Sequence, residues 1–124
     1  MNYKGIVIEE SLKDKSVLNE IKITETIVEP VDNEHKTPWL KQWTLHTVEV
    51  PVETIDSFSE KMSHALEDEH SWYMDFKNDS THYIVFREKV FVIDRLNPEQ
   101  YEEVKRYGMS LGIPDYQLDF SPQV

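Results

Sequence analysis

Residues 71–94 read SWYMDFKNDSTHYIVFREKVFVID, the densest aromatic and β-branched run in the chain. Such a run, broken by the turn formers Asn78, Asp79, Ser80 and Thr81, predicts three consecutive antiparallel strands. They span Trp72–Lys77, His82–Arg87 and roughly Val90–Asp94. A four-residue loop sets Lys77 opposite His82, Asp75 opposite Ile84 and Tyr73 opposite Phe86. Side chains alternate between faces along a strand. One face therefore carries Trp72, Met74, Phe76, Tyr83, Val85, Val90 and Val92. The other carries Tyr73, Asp75, Lys77, His82, Ile84, Phe86, Phe91 and Ile93. The first face belongs on a core. The second is apolar in one half and polar in the other, more apolar than a sheet open to water on that side. A second copy of the chain, the C-terminal helix or the tail must cover Ile84, Phe86, Phe91 and Ile93.

The rest of the chain supplies partners for this meander. Tyr3–Glu9 is a short strand, and Ser16 is placed to cap a turn of helix over Val17 and Leu18. Ile21–Val28 alternates as a half-buried strand, ended by Pro30, which has no amide hydrogen to give a ladder. Residues 31–38 form a polar loop containing His35. In the strand Gln42–Val50, Trp43 and Leu45 have one parity and Val48 and Val50 the other. Either a bulge near His46–Thr47 restores the phase or the strand passes between two buried layers. Ile55, Phe58, Met62, Ala65 and Leu66 recur at helical spacing and predict a helix over 52–68. Asn97-Pro98-Glu99-Gln100 starts a second helix with a capping side chain and an early proline. Its apolar side is Tyr101, Val104, Gly108 and Leu111, and Gly112-Ile113-Pro114 ends it. Residues 115–124 read as an extended C-terminal arm.

The order β-β-β-α-β-β-β-α predicts one α+β domain over 1–124. Its sheet is mainly antiparallel, with about six strands and two helices on one face. This is a two-layer arrangement, for which a ferredoxin-like fold is one solution. A chain of 124 residues can bury a core. It has no cysteine, so disulfides, thiolate metal sites and cysteine nucleophiles are excluded. A formal net charge of -11 disfavours nucleic acid and anionic membranes as partners. No apolar run approaches the roughly 20 residues of a membrane span. The N-terminus lacks the pattern of a signal peptide, and the cytoplasm is the expected compartment.

Two clusters carry candidate chemistry. Tyr73, Asp75, Lys77 and His82 project from adjacent strands, and a phenol, carboxylate, amine and imidazole together can do acid–base work on a small polar ligand. The plainer reading, and the favoured one, is a cross-strand ion pair on a solvated face. His64 and His70, near Glu67, Asp68 and Glu69, are the weaker candidates for metal ligands. Carboxylates at a helix C-terminus oppose the dipole, which a cation would relieve. No recognised ligand spacing supports a metal, and no cofactor is expected. Trp39 and Trp43 flank Lys41, as a platform for a ring ligand would, although core packing is the commoner role.

The strings HTVEVP, SWYMDFKND, HYIVF, KVFVIDR and YGMSLGIPDYQLDF resemble a family of short prokaryotic α+β proteins with no assigned activity. The resemblance runs from His46 to Phe120. It implies a compact cytosolic protein and brings no catalytic residues with it. The expected function is a binding or interaction domain acting as a homodimer. The alternative is a small acid–base enzyme using Asp75, Lys77, His82 and Tyr73.

Overall fold

A computed structural model describes residues 2–32, 37–113 and 118. His35 and the expected arm, Leu118 excepted, lie outside the described residues. Six strands, β1 (Tyr3–Ile8), β2 (Lys22–Pro30), β3 (Gln42–Val50), β4 (Tyr73–Lys77), β5 (Thr81–Phe86) and β6 (Lys89–Asp94), form one sheet in the order β2-β3-β1-β4-β5-β6. Every neighbouring pair is antiparallel. Two helices complete the α+β fold, α1 (Ile55–Ala65) and α2 (Pro98–Ser110). Because β3 and β4 both run antiparallel to β1, they are parallel to each other. The connection through α1 therefore crosses over the strand between them.

The meander has the expected register, with Lys77 opposite His82, Asp75 opposite Ile84 and Tyr73 opposite Phe86. The third strand follows in phase, Ile84 facing Phe91 and His82 facing Ile93. The two faces of β5 enter different cores. Tyr83 and Val85 join Tyr3, Val7, Val48, Val50, Met74 and Phe76 beneath Ile55, Phe58, Met62 and Ala65 of α1. Ile84, Phe86 and Ile93 join Tyr101 and Val104 of α2, with Ile113 and Leu118. The helices thus lie on opposite faces, and the expectation of two layers with both helices on one face is corrected to a helix on each side. The physical reason is the apolar content of β5, which is buried on both faces from His82 to Phe86. This also separates the fold from the ferredoxin-like arrangement, whose helices share a face. The cover required over the second face of the meander comes from α2 and Leu118.

Local chemistry explains the boundaries. Asn97 caps α2, its Oδ1 accepting from the amides of Glu99 (3.1 Å) and Gln100 (3.3 Å). Ahead of β2, a 3₁₀ segment spans Lys15–Glu20, and its cap is Asp14, not Ser16. The Asp14 carboxylate accepts from the backbone and side chain of Ser16, which holds its pKa below the usual carboxylate value. Gly5 sits where β1 passes β4, and a Cβ there would land on the carbonyl oxygen of Asp75 and within 2.7 Å of the Phe76 ring. Only glycine allows that approach.

Strand β2 departs from expectation. It is exposed along its whole length. Its pairing with β3 shifts between Ile23 and Glu25, so the bulge lies here and not near His46–Thr47. The shift puts Ile23 opposite Val48 on the α1 face and Ile27 opposite Leu45 on the other. One buried stripe is replaced by two exposed half-stripes. Strand β3 keeps its phase, burying Val48 and Val50 toward α1 and leaving Leu45 half-buried on the second face. Among the described residues, no helix is long and apolar enough to cross a membrane.

Candidate functional site

The second face of the meander places a polar chain against α2. Asp75 from β4 and His82 from β5 meet with Oδ2 and Nε2 2.6 Å apart, Asp75 lying two residues along β4 from Lys77, the ladder partner of His82. The other ring nitrogen, Nδ1, lies 2.9 Å from the Tyr101 hydroxyl of α2. That phenol is hydrogen-bonded to Arg95. Arg95 also donates from Nη1 to the Asn78 carbonyl at 2.6 Å. With the guanidinium as donor, the phenol hydrogen goes to Nδ1 and the Nε2 hydrogen to Asp75. One tautomer thus satisfies the whole sequence Arg95–Tyr101–His82–Asp75. Burial pushes the Tyr101 phenol above the ordinary tyrosine range. Arg95 pulls it partly back, and Asp75 and Asp94 add to the rise.

Of the four residues expected to form a patch, the structure brings Asp75 and His82 together. Tyr73 turns into the apolar cluster, its ring 5.8 Å from that of Phe86. Lys77 stands opposite His82 in one ladder and opposite Lys4 in the other, half-buried. Tyr101 and Arg95 are the members that sequence reasoning missed. The available signal was the helical spacing of Tyr101, Val104 and Gly108, which puts the phenol on the buried side of α2. His82 is 1% exposed and has a partner at each nitrogen. A general base needs a nitrogen within reach of its substrate, and here Asp75 is the part of the chain that solvent reaches, with a side chain 35% exposed. The arrangement serves to seat α2 on the sheet, with both ring nitrogens of the buried His82 partnered.

The weaker cluster lies after α1. The Glu67 carboxylate accepts from three donors at Oε1: the His70 amide (3.0 Å), His70 Nδ1 (2.9 Å) and Trp72 Nε1 (2.9 Å). The Trp39 ring stacks on the His70 imidazole with centroids 3.6 Å apart and planes 8° from parallel. Trp72 meets both Trp39 and Trp43 edge-on. Trp39 and Trp72 therefore meet at His70 and Glu67, with Trp43 against Trp72, and Trp39 has an imidazole from its own chain where a ring ligand was envisaged. Among the described residues, Glu67, Glu69 and His70 present donor atoms within 4.8 Å of one another. His64 is not one of them, and pairs with Glu60 on the exposed side of α1 at 3.2 Å. His46 is held between Glu9 (3.0 Å) and Thr26 (2.9 Å).

Comparison with models of known families, with curated proteins and with solved structures finds no match.

Proposed function

We propose that this chain is a non-enzymatic interaction domain of the cytoplasm that works as a homodimer. The observation that carries the reading is the concentration of exposed aliphatic side chains at one end of the sheet. Ile23 is 38% exposed, Ile27 49% and Val28 55%. Strand β2 is the sheet's terminal strand, and terminal strands with apolar side chains are templates for pairing. The support thus moves from the meander, which α2 covers, to β2 at the far end of the sheet. The enclosure of His82 between Asp75 and Tyr101 weighs against the acid–base alternative. Sedimentation equilibrium from micromolar to millimolar protein tests the proposal. A concentration-dependent dimer is expected, and a monomer throughout the range removes the reading.

A further inference from the structure

Resting on that reading, we propose that two copies join edge to edge through β2, antiparallel, with the two-fold axis at Thr26. The bulge fixes which residues can face each other. Lys22, Glu25 and Ile27 pair with Glu49, Thr47 and Leu45 of β3 on the second face, and Glu29, in step with Ile27, pairs with Trp43. Ile23, Thr26 and Val28 pair with Val48, His46 and Thr44 on the α1 face. In a continued sheet, residues opposite each other point to the same side. With the axis at Thr26, and with the bulged Thr24 left unpaired in both copies, this holds from Lys22 to Glu29. Lys22 then faces the partner's Glu29, Ile23 faces the partner's Val28, Glu25 faces the partner's Ile27, and Thr26 faces itself.

The neighbouring registers fail on charge. An axis at Ile27 sets Glu25 against the partner's Glu29, and an axis at Glu25 sets that carboxylate against itself. Axes between residues put opposite faces together. Like charges directly across a ladder are destabilising, whereas opposite charges and apolar pairs stabilise it. The Thr26 register is the one that gives two Lys–Glu pairs and two aliphatic pairs with no like-charge contact. Lys22 spans 3.5 Å to Glu49 with its side chain 71% exposed, so it can also lean toward the new strand.

Charge exchange at β2 is the test, read by sedimentation equilibrium on the full chain, with far-UV circular dichroism confirming the fold. Lys22→Glu and Glu29→Lys should each weaken the dimer by about tenfold, and the double variant should recover most of the loss. The chain has no cysteine, so Thr26→Cys introduces a single thiol on a silent background for crosslinking. Antiparallel partners lie about 4.5–5.5 Å apart at Cα, within the range of a disulfide, and a disulfide-linked dimer is expected on oxidation of that variant. Ile6→Glu, on the open face away from the edge, should leave association unchanged. A dimer that ignores the β2 variants, forms no crosslink and is broken by Ile6→Glu overturns this register and leaves the homodimer standing. A wild-type monomer at millimolar concentration overturns both.

Discussion

Two buried phenols show how single side chains set the limits of this fold. Tyr83 donates to Asp56 Oδ1 at 2.6 Å, joining β5 to the first turn of α1. Burial, first, and the neighbouring Asp56 carboxylate, second, push its pKa well above the ordinary tyrosine value. Tyr101 is raised as well, chiefly by burial. In both cases the folded chain holds the phenolic proton more tightly than the unfolded chain does. The unfolded chain therefore binds fewer protons once pH passes the unperturbed value near 10, and stability falls with rising pH. The contribution is complete below about pH 10 and lost above it. Urea unfolding at successive alkaline pH values should show a steep decline for the wild type. Tyr83→Phe and Tyr101→Phe should each be less stable at neutral pH yet flatter on the alkaline side. A decline of equal slope in both variants would place its origin elsewhere.

At the level of elements, the β1–β4 junction joins the two halves of the sheet and rests on Gly5. The methyl group of an alanine there would meet the Asp75 backbone, which cannot rotate away as a side chain can. Gly5→Ala should cost about 1–3 kcal/mol or more, as overpacking does, measured as a lower urea midpoint at unchanged slope. Gly108→Ala is the comparison. The neighbour there is the Leu118 side chain, at 2.7 Å, which can shift, and alanine gains about 1 kcal/mol of helix propensity. Equal losses in the two variants would contradict this account of Gly5. The same junction shows what the sequence could disclose. The register of the meander was legible, because its alternation and its turn are local, while strand ends differ by a residue from the expectation, Thr81 opening β5 and Phe86 closing it. Asp75 and His82 were legible as neighbours for the same reason. Tyr101 and Arg95 were not, since their place depends on which face α2 covers, a tertiary choice that local pattern leaves open. The bulge in β2 was also hidden. Ile21, Ile23 and Ile27 share a parity, and only the pairing with β3 shows that the shift moves Ile27 to the other face.

For the whole molecule, association must overcome charge. Each copy carries a formal -11, so two copies repel at long range, while the proposed Lys22–Glu29 contacts attract at short range. Added salt weakens both, but not equally. The Debye length falls from about 30 Å at 0.01 M to about 8 Å at 0.15 M ionic strength. Repulsion summed over two acidic bodies acts across such distances and is largely screened, whereas a pair in contact within a strand ladder is screened less. Exposed ion pairs contribute only about 0–1 kcal/mol each in any case. The aliphatic pairs of Ile23 and Val28 are not weakened by screening. Association should therefore tighten as salt rises across this range, which sedimentation equilibrium at the two ionic strengths can read directly. A dimer that loosens with salt would mean that ion pairs dominate the interface, and the apolar edge would then be the wrong account of why two copies meet.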